Sequence, residues 1–194
     1  MTGGKRRVAV LISGRGSNME ALADACASAD YPAMIAGVLS DVEDAPGLQA
    51  AARRGIATAA LPRGHFASKR EHEAAIHRQL VAWRTEFVCL AGYMRLLSGD
   101  FVAPWQGRII NIHPSLLPRH RGLDTHRRAL DAGDAEHGCS VHHVTAGMDE
   151  GPVIAQARVP VLAGDTPETL GARVLAEEHR LYPEALRALI SETP

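Results

Sequence analysis

The sequence predicts an α/β protein: a doubly wound, mostly parallel sheet with helices on both faces and an antiparallel pair of late strands. Two observations carry this. Short β-rich apolar runs alternate with longer stretches whose apolar residues recur at helical spacing, the signature of βαβ units and right-handed crossovers. After residue 133 the pattern changes, and two strand-like runs follow each other closely enough to pair antiparallel.

Taken in order, residues 8–12 form a first buried strand, broken by Ser13 and Gly14. Residues 18–28 carry Met19, Leu22 and Cys26 at helical spacing, and 34–40 form a second strand. A helix over 46–54 takes Pro46 at a tolerated early position and stops at Gly55. Residues 57–61 are a short strand. Residues 68–83 are an amphipathic helix with Ile76, Leu80 and Trp83 on one side. Strands over 87–90 and 108–112 follow, then a helix over 125–132 ended by Gly133. Strands over 139–144 and 153–161 flank a loop rich in glycine and acid. A long helix over 167–189 closes the chain, with Thr166 as its cap before Pro167.

The 194 residues read as one domain over 1–194, long enough to bury a full core. The formal net charge of −1 argues against a broad nucleic-acid footprint. No apolar run approaches the ~20 residues of a membrane span. The basic start, residues 1–7, leads into an apolar piece too short for a signal sequence. Cys26, Cys89 and Cys139 are odd in number, far apart and without a CxxC pair. They read as small core residues in a reducing, cytoplasmic setting.

The most informative stretch runs from Asn111 through Ile112, His113, Pro114 and Ser115 to Pro118. On an extended strand, positions i and i+2 share a face, so Asn111 and His113 aim at one substrate atom. Pro114 then ends the ladder, because it has no N–H. In open parallel sheets, ligands bind beyond such carboxyl ends. An amide donor beside a titratable imidazole suits a reaction in which charge grows on a carbonyl oxygen.

Between the first strand and first helix lies Ser13-Gly14-Arg15-Gly16-Ser17-Asn18. Its glycines let backbone N–H groups approach an anion, and the helix N-terminus adds partial positive charge. Met19 stands where a dinucleotide fingerprint needs a third glycine, and no Gly-Lys-Ser/Thr follows, so a small phosphate group fits best. Ser17 and Asn18 can add hydrogen bonds, and one of them can cap the helix. A tight capped turn alone would leave the same pattern. In the acidic loop at Gly147-Met148-Asp149-Glu150, Asp149 is a candidate to orient His113 and favour its charged form. An ordinary turn is the equal alternative. Glu150 is expected in solvent.

His142 and His143 alternate on a strand, the inward one reading as a structural, hydrogen-bonded histidine. His120, His126 and His137 are placed in polar loops or helix ends. No HxxxH or HExxH pattern supports a metal. Ser115, Ser140 and Cys139 lack a nucleophile's context. Gly92-Tyr93-Met94-Arg95-Leu96-Leu97 offers an apolar wall with one arginine, suited to a flat heteroaromatic ligand. Read alone it is more simply a hydrophobic connector.

Together these residues resemble the phosphoribosylglycinamide formyltransferases, folate-dependent enzymes of purine synthesis. The matching pieces are LISGRGSN, AGYMRLL, GRIINIHPSLLP, HGCSVHHV, MDEGPVIAQ and AEEHRLYP, in family order over almost the whole chain. The resemblance implies catalytic roles for Asn111, His113 and Asp149. It implies a ribonucleotide site at Gly14, Gly16, Ser17, Asn18, Gly92, Pro114 and Glu178, with the phosphate on the glycine loop and the sugar near Glu178. It implies a folate pocket at Met94, Arg95, Leu96, Leu97, Thr145, Ala146, Gly147 and Met148. The co-substrate implied is 10-formyltetrahydrofolate, with no metal, no nucleic acid, no membrane and a monomer or homodimer.

Asp124 stands where many members carry histidine, and the chain ends at Pro194, short of the C-terminal segment some have. Related readings are a formyltetrahydrofolate deformylase, which usually adds an N-terminal domain, and a methionyl-tRNA formyltransferase, which adds an RNA-binding one. A non-catalytic folate- or anion-binding module would need the loop and wall but no clustered Asn, His and Asp.

Overall fold

The structure, a computed structural model, describes residues 4–193. Residues 1–3 of the basic start and Pro194 lie outside the described residues. The strands are β1 (Arg6–Ile12), β2 (Ala33–Ser40), β3 (Thr58–Ala60), β4 (Phe87–Leu90), β5 (Ile109–His113), β6 (Glu136–His143) and β7 (Val153–Pro160). The helices are α1 (Ser17–Ala27), α2 (Pro46–Arg53), α3 (Lys69–Ala82), α4 (Gly99–Val102), α5 (Thr125–Asp131) and α6 (Pro167–Glu192).

The strands form one sheet in the order β3-β2-β1-β4-β5-β6-β7. The first five are parallel, and β6 and β7 add antiparallel to β5 and to each other. Val8 to Ile12 of β1 are fully buried at the centre. One core packs α1, α2 and α6 on one face, and a second packs α3 and α4 on the other. The predicted mostly parallel sheet, helices on both faces and late antiparallel pair are all present.

From β1 the chain winds outward through β2 to β3, then crosses back to β4 on the other side of β1. The chain thus leaves β1 toward one face of the sheet and β4 toward the other, a switch in winding of the kind at which open α/β sheets bind ligands. Helix α6 closes the sheet from one face. Its start has the predicted Thr166 cap, with Thr169 returning a bond to the cap residue. Its buried Tyr182 hydroxyl donates to the carbonyls of Leu90 (2.9 Å) and Ile110 (3.2 Å), pinning the helix over β4 and β5. Buried Leu189 and Ile190 carry it past residue 189. All three cysteines are free and buried, and burial pushes the thiols up, to about 11 for Cys26 and about 12 for Cys139.

Three details differ from the sequence reading. Helix α4 and the 3-10 turns at Arg63–His65 and Ala103–Trp105 fall in stretches read as connectors. Strand β6 begins at Glu136, because its ladder with β7 runs on to pair Glu136 with Pro160. Neither Ser17 nor Asn18 caps α1. The cap residue is Gly16, left-handed at φ 79°, and Ser17 is already the first helical residue.

Candidate active site

Strand β5 runs along the middle of the mixed half and ends at His113. Across the antiparallel ladder, Asn111 lies opposite His142 and His113 opposite Ser140. Opposed residues on one face of such a pair are neighbours. The Asn111 amide meets His142 Nε2 at 3.2 Å, while His142 Nδ1 donates to its neighbour's carbonyl, His143 O, at 2.9 Å. Those partners assign an Nδ1–H tautomer to neutral His142, with Nε2 accepting from Asn111. The second amide proton of Asn111 is not consumed by that bond.

The loop after β6 returns Asp149 to this cluster. Its carboxylate sits between two imidazoles, 3.4 Å from His113 Nδ1 and 3.5 Å from His142 Nε2. It also accepts the Gly122 backbone N–H at 3.0 Å. Burial pushes the Asp149 pKa up, but the His142 imidazole in its protonated form, the Gly122 N–H and the charge of His113 outweigh it. The acid is held below 3.8 and is ionised at neutral pH. Glu150 points away and pairs with Arg121 at 2.9 Å, exposed as expected.

His113 is 6% exposed. Its Nε2–H donates to the His120 carbonyl at 3.1 Å, which leaves Nδ1 facing Asp149. Burial is the largest influence on this imidazole and lowers its pKa below 6.5, against the opposing pull of His120 and Asp149. The pull of Asp149 toward the charged form has the expected direction but is not the largest influence. Asp149 favours the cation, burial disfavours it more, and His113 rests neutral at pH 7. The proton that charges it enters at Nδ1, between ring and carboxylate.

The structure brings His142 into this cluster, where the sequence reading gave it only a structural part. The available signal was its spacing: it is one of two histidines on a strand that antiparallel pairing sets against Asn111. His137 is also corrected. It is a buried residue of β6, 1% exposed, not a loop histidine, and its ring stacks edge-on against His126 with centroids 5.2 Å apart.

The glycine loop leaves β1 and enters α1. Gly14 has open space where a Cβ would stand, whereas a Cβ on Gly16 would approach Gly47 Cα of α2 to 2.9 Å. The Asn18 amide donates to the Glu178 carboxylate at 2.6 Å. Both are buried, and burial raises the Glu178 pKa against that hydrogen bond. Thus Glu178, 160 residues away in sequence, joins the loop. The Ser13 N–H donates to Gly92 O at 3.1 Å, which ties the loop to the end of β4.

The wall after β4 is linked to the same loop. The Met94 N–H donates to Ser13 Oγ (2.9 Å), Ser13 Oγ donates to Asp41 (2.5 Å), and Asp41 receives the Arg95 guanidinium (2.6 Å). Met94 is 63% exposed, Leu96 51% and Met148 53%, while Leu97 is buried. A Cβ on Gly99 would lie 3.6 Å from Ala146, so the segments 94–99 and 145–149 adjoin. Arg95, Leu96 and Leu97 line a cavity of about 260 Å³ with Arg63, Lys69 and Tyr93. A cavity of about 350 Å³, lined by Lys5, Tyr31 and Pro32, lies at the opposite ends of β1 and β2 and touches none of these groups. Among the described residues no cluster is placed to hold a metal ion, and no helix is long and apolar enough to cross a membrane.

Comparison with known proteins follows the same residues. The profile of the formyl transferase family matches residues 6–186. Phosphoribosylglycinamide formyltransferase of Escherichia coli is 47% identical over 176 residues, covering 91% of this chain and 83% of that protein. A crystal structure of phosphoribosylglycinamide formyltransferase from Brucella melitensis superposes with a TM-score of 0.93 at 56% identity, covering 98% of each chain. The trifunctional purine biosynthetic protein adenosine-3 of Drosophila pseudoobscura is 47% identical over 189 residues. Those cover 96% of this chain but only 14% of that longer protein.

Proposed function

The chain belongs to the formyl transferase family, and from that premise we infer that it transfers a formyl group to the primary amine of glycinamide ribonucleotide in purine biosynthesis. The donor in this reading is 10-formyltetrahydrofolate. The observation that carries it is the Asn111–His113–Asp149 cluster at the end of β5, on a fold that also carries an anion-type loop and an exposed apolar wall.

The ribonucleotide phosphate sits on the loop Gly14, Gly16, Ser17 and Asn18, where backbone N–H groups and the α1 N-terminus face an anion. The sugar hydroxyls meet Glu178, and Gly92 and Pro114 line the passage to β5. The folate lies against Met94, Arg95, Leu96 and Leu97 and beside Thr145, Ala146, Gly147 and Met148. Arg63 and Lys69, the latter 3.8 Å from Glu73, line the same cavity as Leu97 and supply cationic groups suited to the carboxylates of a folate tail.

The amine nitrogen bonds to the formyl carbon and the carbonyl π pair moves to oxygen. Asn111 donates to that oxyanion. The new negative charge raises the affinity of His113 for a proton, which it takes at Nδ1 beside ionised Asp149. Collapse of the intermediate breaks the carbon–folate nitrogen bond, and the proton given up by the amine ends on that nitrogen. His113 and Asp149 carry it. Three buried free thiols fit a reducing cytoplasm.

Offering 10-formyltetrahydrofolate with each candidate amine, and following deformylated folate, tests this. Turnover is expected with glycinamide ribonucleotide alone, whereas formate release without an amine would make the protein a hydrolase. Asn111→Ala should lower kcat by ~10²–10³ with an unchanged melting temperature. Parent-like kcat would remove Asn111 from the mechanism.

A further inference from the structure

One segment grips both members of the proposed catalytic pair. The His120 carbonyl accepts from His113 Nε2 at 3.1 Å, and two residues on, the Gly122 N–H donates to Asp149 at 3.0 Å. His120 adopts a left-handed backbone, φ 51°, which a residue with a Cβ seldom takes. Its side chain is anchored instead: Nε2 meets Asp134 Oδ2 at 2.7 Å, with the two side chains 13% and 18% exposed. Asp134 follows Gly133 at the end of α5, and its own N–H donates to Ala129 O at 3.1 Å. The flanking carbonyls are held as well, Arg119 O by Ser115 Oγ at 2.7 Å and Arg121 O by Arg128 at 2.5 Å. The Arg119 and Arg121 side chains, however, are 64% and 43% exposed, so His120 is the residue of this stretch whose own side chain is tied to a largely buried partner.

We propose that the His120–Asp134 pair is a positioning device for the formyl-transfer centre: it pins the 120–122 segment so that the His120 carbonyl fixes His113 as its Nε2–H tautomer and Gly122 holds Asp149. This rests on the roles given above to His113 and Asp149. The segment turns the centre's two titrating groups toward each other, leaving His113 Nδ1 open to the carboxylate. Neither His120 nor Asp134 is asked to touch substrate.

Imidazole ¹⁵N spectra of the full-length protein test this without any substrate. The parent should show neutral His113 protonated at Nε2. An Nδ1–H tautomer there would overturn the proposal even if no variant folded. In His120→Phe and Asp134→Ala that preference should be lost, and His113 should titrate lower, because the carbonyl that raises its pKa has moved. The kcat should fall by about 10–100-fold with KM for both substrates nearly unchanged, as expected for displaced reacting groups. Asp134→Asn keeps an acceptor for His120 and should restore most of the rate.

His113 is also faced by His142 and, more distantly, Arg128, and the His120–Asp134 pair by Arg119, His126 and His137. Arg119→Gln removes a charge 3.9 Å from Asp134 while sparing the bond to His120, so it should leave the pH profile as in the parent. An equal shift in Arg119→Gln would show a field effect rather than positioning. A fall in melting temperature with parent-like spectra and kcat would show a purely structural pair. His113→Ala with full activity would sink the role of His113 itself, leaving the tautomer result to stand on its own.

Discussion

Asp149 and burial pull His113 in opposite directions, and burial wins in the free protein. Removing the carboxylate takes away one of the two influences that raise the imidazole's pKa. Asp149→Asn should therefore move the limb of the kcat profile set by His113 to lower pH. It should also cut turnover by about 10²–10⁴-fold, the range for a lost general acid or base. A rate and profile matching the parent would exclude Asp149 from proton transfer. At this scale the sequence was informative where geometry is local. The i, i+2 spacing placed Asn111 and His113 together, and Pro114 marked the strand end. It was silent on resting charge, since burial depends on what packs around the ring. It was silent too on His142, whose part follows from cross-strand register with β5.

Elements were legible where periodicity and end signals agreed. Gly55 and Gly133 both follow their helices with positive φ, and Thr166 caps α6 as expected. Helix α4 was not legible because four residues do not complete a hydrophobic period. It depends on Ser98, whose side chain accepts from Phe101 N–H and whose backbone N–H donates to Glu73 of α3. The glycine loop shows the same limit. Its composition pointed to close backbone approach, but not to which glycine meets a ligand and which meets the protein. Gly16 is crowded by Gly47 and left-handed, so Gly16→Val should lower the melting temperature and weaken both substrates together. Gly14 is open, with no positive φ, so Gly14→Val should fold normally and raise the KM for the ribonucleotide alone. Equal losses for ribonucleotide and folate in a stable Gly14→Val would place the phosphate elsewhere.

For the whole molecule, alternation of strand and helix implied a wound sheet, and the late change of pattern implied antiparallel strands. The strand order, with β1 at the centre and β4 beside it, is set by tertiary packing. That order unites residues as distant as Asn18 and Glu178. It also buries histidines in the antiparallel half. His113, His126, His137 and His143 all have pKa values lowered chiefly by burial, to about 4 for His137. For each, the unfolded chain binds more protons between the folded value and 6.5, so stability rises with pH through that window and is lost as pH falls through it. Asp149 acts in the same sense only below 3.8, and Glu178, whose pKa is raised by burial, acts oppositely. Four histidines against one buried glutamate leave a net loss on acidification. At one pKa unit per 1.36 kcal/mol, His137 alone contributes about 2 kcal/mol of loss between pH 7 and pH 5. Urea unfolding at the two pH values should show the parent weakening, and His137→Gln weakening by about that much less. Identical pH sensitivity in both proteins would show that His137 is not held neutral by the fold.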